Sequence, residues 1–260
     1  KEKATVGNGS QISFQTSFMN YKDKILILPC GGSEFEKINP AFLDRVDNTP
    51  KLFKSIENID IQKIQKVYII LFENKYIENQ CEVLNHWIGD RTYLYKYIVI
   101  KPTESVVETV YELTKTLDDC ELYIKDYDDT FELKNDDLNP NSVYYYSLNN
   151  GGITDVEKKS YLRIDPINTV LNIVEKDVIS SNFCVGLYSF NSSNLFNKTF
   201  EKLRKNKLKN LFISNVIYDM ILNGERFTAV SVKNYIDWGS DDLWQNYVKT
   251  KTNNTNRSTQ

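Results

Sequence analysis

Apolar residues in the first half of the chain fall into two alternating patterns. The runs Lys24–Pro29 (KILILP), Lys66–Leu71 (KVYIIL) and Tyr97–Ile100 (YIVI) are continuous and branched, as in strands buried on both faces. Cys120–Ile124 is a fourth strand, and it runs into an acidic cluster. Between the strands, Lys51–Ile56 begins a helical stretch and Tyr76–Ile88 reads as an amphipathic helix. Ser105–Leu117 places Val106, Val110, Leu113 and Leu117 at helical spacing. Strand and helix in alternation predict right-handed βαβ units and a parallel sheet.

The second half changes rhythm. Ser142–Leu148, Ser160–Ile164, Val170–Glu175 and Phe183–Phe190 read as strands joined by short turns. Ser193–Lys207 is a lysine-rich amphipathic helix, and Leu211–Leu222 a more buried one closed by Asn223-Gly224. Phe227–Val232 is a final strand and Asp241–Val248 a last helix. The expected fold class is therefore α/β, a mixed, mainly parallel sheet flanked by helices in one domain over residues 21–248. Residues 1–20 form a polar leader, in which Gln11–Phe18 either pairs as an edge strand or stays loose. Residues 249–260 (KTKTNNTNRSTQ) carry no apolar period and are expected to be a disordered tail.

Composition narrows the chemistry. With 260 residues and 41% hydrophobic content the chain can bury a core of its own. Thirty-two Lys+Arg against 35 Asp+Glu leave a net charge of −3, which gives no electrostatic footprint for nucleic acid. The single histidine, His86, rules out a multi-histidine metal site and leaves little room for histidine acid–base catalysis. Cys30, Cys81, Cys120 and Cys184 are dispersed with no CxxC pair, so neither a zinc site nor a disulfide framework is expected. No apolar run reaches the roughly 18–20 residues that cross a bilayer. A cytoplasmic setting with no membrane partner is the expectation, and self-association is left open.

Four places carry candidate chemistry. Cys30-Gly31-Gly32-Ser33 follows the first strand, where two glycines let the backbone approach a phosphate or a base. A plain strand-ending turn explains them too. Lys51, after Pro50, is a cation within reach of a triphosphate. Asp126-Tyr127-Asp128-Asp129 lies beyond the fourth strand, at the sheet edge where open α/β folds bind ligands. A carboxylate there suits Mg²⁺ held against substrate phosphates, although acidic clusters are also common on solvated loops. Asp237 precedes Gly239 and the helix-capping Ser240, whereas Asp241 and Asp242 are explained by the helix dipole. Glu175-Lys176 closes a strand and suits hydroxyls and phosphate.

In this order, these residues resemble the sugar-phosphate nucleotidyltransferase family, GT-A-like α/β enzymes, and especially its branches in capsule and surface-polysaccharide biosynthesis. The resemblance rests on Gly31-Gly32, Pro50-Lys51, Asp128, Glu175-Lys176, Gly186-Leu187-Tyr188-Ser189-Phe190 and Asp237-Trp238-Gly239-Ser240 with Asp242-Leu243. Its most specific stretch is Ser160–Phe190. It implies a nucleotide-binding loop of Gly31, Gly32 and Ser33, with Lys51 on the phosphates. It implies Asp128 and Asp237 as Mg²⁺ ligands, with Lys51 and these two as the catalytic set. Glu175, Lys176 and Gly186 would bind the second substrate. The implied reaction joins an NTP to a sugar-phosphate or similar phosphomonoester, with pyrophosphate leaving.

Two positions depart from the family pattern. Glu34 stands where an arginine is usual, and Lys209-Asn210-Leu211 lacks a carboxylate before Phe212. Two alternatives stay open beside the enzyme. One is a catalytically degenerate binding protein, and the other is a glycosyltransferase using Asp126 and Asp128 as a D-x-D pair.

Overall fold

The computed structural model describes residues 22–32, 35–134, 138–151, 153, 155–206 and 210–257. The chain opens with strand β1 (Lys24–Pro29), a small hairpin of β2 (Arg45–Val46) and β3 (Thr49–Pro50), and the short helix α1 (Lys51–Lys54). Next come β4 (Lys66–Phe72), α2 (Ile77–Ile88), β5 (Tyr95–Ile100), α3 (Val106–Thr114), β6 (Glu121–Lys125) and β7 (Asp129–Leu133). The second half holds β8 (Ser142–Ser147), β9 (Ser160–Ile164), β10 (Val170–Glu175) and β11 (Asn182–Phe190). It closes with α4 (Ser193–Lys205), α5 (Ile213–Leu222), β12 (Thr228–Asp237) and α6 (Asp241–Arg257).

The main sheet runs β5-β4-β1-β6-β11-β8-β12-β7, with the β9–β10 hairpin attached through β9 to β11. Strands β5, β4, β1 and β6 are parallel neighbours, as the βαβ rhythm predicts. From β6 onward the ladder becomes antiparallel at β11 and β8, and β12 lies parallel to β8 and antiparallel to β7. The result is one mixed α/β sheet with helices on both faces.

Period-two alternation divides the core. On β1, Leu26 and Leu28 face α2 through Leu84 and Ile88, while Ile25 and Ile27 face the opposite layer. That layer holds Val107, Val110 and Leu113 of α3, Phe196, Phe200 and Leu203 of α4, and Val216, Ile217 and Met220 of α5. A third cluster of Val46, Trp238, Trp244 and Tyr247 seats α6 beside the β2–β3 hairpin.

Three expectations change. The acidic cluster after β6 is not simply a solvated loop, because Asp129 is buried and opens β7. Strand β12 continues past Val232 to Asp237, held there by pairing with β7. The segment expected as a disordered tail continues α6 to Arg257, where the Thr250 and Thr252 hydroxyls donate to the carbonyls of Asn246 and Val248. Gln11–Phe18, Ser33 and Glu34 lie outside the described residues.

Candidate active site

The carboxyl ends of β1 and β6 open onto one edge of the sheet, and β12 ends beside them. The meeting of β6 and β12 follows from the ladder. Asp237 pairs with Asp129 in the β12–β7 register, and the Trp238 amide donates to the Asp128 carbonyl at 2.7 Å. Both carboxylates then crowd Gly239. A Cβ on that glycine would lie 3.0 Å from Asp237 Oδ1 and 3.6 Å from Asp128 Oδ2. The Gly239 amide donates to Asp237 Oδ1 at 2.8 Å, which fixes that carboxylate's orientation.

Two clefts meet at Asp128. The first, about 360 Å³, is lined by Gly32, Lys51, Tyr127, Asp128, Gly239, Ser240 and Asp241 among others. Lys51 is buried at the start of α1, donates from Nζ to the Trp238 carbonyl at 2.9 Å and lies 5.0 Å from the centre of the Trp244 ring. Burial pulls its ammonium below the usual lysine range, and Asp128, Asp44, Asp241 and Asp237 oppose that pull. Gly31 stands back from this wall. Its absent side chain makes room for the Phe72 ring, whose atoms lie 2.2 to 2.7 Å from where a Cβ would sit.

The second cleft, also about 360 Å³, is lined by Asp126, Asp128, Lys158, Lys159, Glu175, Lys176, Gly186 and Ser214 among others. Glu175 Oε2 accepts from the Ser160 hydroxyl and, at 2.9 Å, from the Ser214 hydroxyl, so β9 and α5 together hold it. Lys176 follows with φ of +58°, a left-handed conformation that a non-glycine residue adopts at a cost, and its Nζ lies over the Phe212 ring at 4.6 Å.

Beneath the clefts lies a buried charge cluster. Lys125 is fully buried, and its Nζ donates to the Asp126 carbonyl at 2.6 Å and to Asp129 Oδ1 at 2.7 Å. Burial pushes the Asp129 carboxyl up to about 8, against the attraction of Lys125. Burial, with Asp128 adding to it, pushes Asp126 up to about 7. Both carboxylates press on Gly186, where φ is +66° and a Cβ would lie 2.8 Å from Asp126 Oδ2 and 2.8 Å from Asp129 Oδ2. Asp126 and Asp128 therefore face different neighbours, Gly186 and Gly239.

Sequence reading had no signal for Lys159. Its Nζ donates to Asp237 Oδ2 at 2.5 Å and to the Tyr235 hydroxyl at 2.9 Å. As one of two adjacent lysines before a strand it looks like solvated surface; only the fold brings it to Asp237.

Among the described residues no group of three or more His, Cys, Asp or Glu side chains is arranged to hold a metal. The converging pair Asp128 Oδ2 and Asp237 Oδ1 is the donor set that suits Mg²⁺ when substrate phosphates supply the remaining oxygens. The residues fit that ion.

No sequence-family profile and no curated protein sequence matches the chain. Solved structures do. A nucleoside-diphosphate-sugar pyrophosphorylase from Vibrio cholerae superposes with a TM-score of 0.69 at 14% identity, covering 86% of this chain and 99% of that one. A UDP-glucose pyrophosphorylase complexed with UDP-glucose gives 0.69 at 14% identity, covering 89% and 99%. The chain has the sugar-phosphate nucleotidyltransferase fold. The inositol-1-phosphate CTP transferase of T. maritima shares it, with a TM-score of 0.64 at 12% identity over 85% of this chain and 91% of that one. At these identities the likeness is one of architecture. No helix among the described residues is long and apolar enough to cross a membrane.

Proposed function

We propose that this chain is a Mg²⁺-dependent nucleotidyltransferase that joins an NTP to a sugar-phosphate, or a similar phosphomonoester, and releases pyrophosphate. The observation that carries this reading is the meeting of two polar clefts at Asp128, one holding Lys51 and Gly32 and the other Glu175 and Lys176. The pyrophosphorylase and CTP transferase activities named for proteins of the same fold support it.

In the proposed step, a phosphomonoester oxygen in the second cleft attacks the α-phosphorus of an NTP in the first. The new P–O bond forms as the bond from the α-phosphorus to the oxygen bridging it to the β-phosphorus breaks, and that oxygen leaves as a terminal oxygen of pyrophosphate. Lys51 sits where it can offset charge on the triphosphate. Lys176 faces the acceptor phosphate, and Glu175, already held by two serine hydroxyls, accepts from acceptor hydroxyls. Asp128 and Asp237 would hold the cation, which when bound supplies charge neutralisation at the phosphates. Orientation and electrostatics carry such a reaction, so it needs no histidine.

The test is pyrophosphate release from each NTP with Mg²⁺ and a panel of sugar phosphates and other phosphomonoesters. Release for at least one pair, abolished in Asp128→Asn, is expected. No release with any pair overturns the reading.

A further inference from the structure

The two oxygens of Asp237 turn to different partners. Oδ1 turns towards Gly239 and Asp128, where the cation ligands converge. Oδ2 turns towards Lys159, which lines the acceptor cleft and is only 18% exposed, against 8% for Asp237 itself. Lys51, bonded to the Trp238 carbonyl, feels the charge of both carboxylates, so the pair stands near two ammonium groups before any ion arrives. A carboxylate desolvated this far needs a counter-charge, and Lys159 supplies it. The same ammonium repels any second cation brought to that carboxylate, and at low effective dielectric this repulsion is strong.

We propose that Lys159 is a positioning residue that competes with the divalent ion for Asp237. It keeps that carboxylate neutralised and oriented in the free protein and makes the free protein's own affinity for the ion weak. The ion is then taken up effectively only together with nucleotide phosphates, which add ligands and negative charge. This rests on the reading of Asp128 and Asp237 as cation ligands, and concerns a lysine that the reading itself does not use.

The experiment is Mn²⁺ titration of the full chain without nucleotide, followed by electron paramagnetic resonance of the unbound ion. Variants Lys159→Gln, Lys159→Arg and Asp237→Asn are compared with wild type, and thermal midpoints confirm that each is folded. Lys159→Gln keeps a donor for Asp237 Oδ2 and loses the charge, so it should bind Mn²⁺ about tenfold more tightly, in keeping with the loss of one nearby unit charge. Lys159→Arg keeps the charge and should stay as weak as wild type, and Asp237→Asn should lose the site. Binding that Asp237→Asn abolishes but Lys159→Gln leaves unchanged or weakens overturns the role of Lys159 alone. Tightening by Lys159→Arg equal to that by Lys159→Gln overturns it as well, because charge would not be the cause. Binding that Asp237→Asn leaves untouched, or no binding in any variant, overturns both the cation site and the inference.

Discussion

Lys51 has no freedom to wander, because its Nζ is tied to the Trp238 carbonyl and packed over the Trp244 ring. Lys51→Met should lower kcat/KM by about 100-fold in pyrophosphate release, the scale of one lost charge-stabilising contact. Lys51→Arg should recover little of that loss, since the longer, planar guanidinium does not fit a pocket shaped around an ammonium. Full activity in Lys51→Met would remove the residue from the phosphate-binding set. Gly186 makes a second case at this scale. Its glycine is required by two carboxylates and a positive φ, which explains the residue without invoking contact with substrate. Gly186→Ala should cost about 3 kcal/mol of stability in urea denaturation, combining αL strain with overpacking. A loss below about 0.5 kcal/mol would show that Asp126 and Asp129 give way freely.

Between β6 and β7 the chain turns around Lys125, whose ammonium is fully buried and bonded to both ends of the turn. Lys125→Met should destabilise by about 3 kcal/mol, because it strands buried carboxyl groups. The double variant Lys125→Met with Asp129→Leu should recover most of that loss. A double variant no better than the single one would deny that the pair acts as a unit. Asp119 makes a similar tie between the entry to β6 and the start of α4. It accepts from the Ser192 hydroxyl at 2.7 Å and the Asn194 amide at 3.1 Å, and pairs with Lys22 at 2.7 Å. Burial alone would raise this carboxyl, but those donors outweigh it and hold it below the usual carboxylate range. A lowered folded-state pKa gives stability that is fully present above the ordinary value, about 4, and fades as pH falls through the folded one. Asp119→Asn should therefore cost about 1 kcal/mol at pH 7, and the gap from wild type should close in the acid range. A gap that stays constant from pH 7 to pH 2 would show that its charge is not what matters.

These elements also show why the site was only partly legible in the sequence. The strands β1 and β4 announce themselves as continuous branched runs, and Asp128 and Asp237 are marked by standing at strand ends. Strand β7 gives no such signal: DTFEL is short, half polar and at the sheet edge, paired among the described residues only with β12. Yet that pairing is what sets Asp128 against Asp237. Lys159 was invisible for a similar reason, since its partner Asp237 lies 78 residues further along the chain and only the tertiary fold brings the two together.

At the scale of the whole molecule, the continuous ten-stranded sheet makes both halves one structural unit, and the cysteines offer a way to ask whether it opens as one. All four thiols are free; Cys30, Cys120 and Cys184 are buried, and Cys81 is half-buried on α2. Burial pushes every one of them above the usual thiol range, least protected being Cys81, which keeps some exposure. The thiolate is the reacting species, so native alkylation at neutral pH should modify Cys81 first and slowly. The other three lie at the end of β1, at the start of β6 and within β11; Cys120 and Cys184 each border a cleft, but with 1% to 5% exposure none of the three offers its sulfur to a reagent until its strand moves. If the sheet opens cooperatively, Cys30, Cys120 and Cys184 should be protected by the same opening free energy, with rates that match once each is normalised to its unfolded-state reactivity. Mass spectrometry of the labelled peptides gives all three rates in one experiment. Cys184 labelling many times faster than Cys30 would mean that the antiparallel half opens alone, and the acceptor cleft would then loosen without disturbing the parallel strand that leads to Gly32.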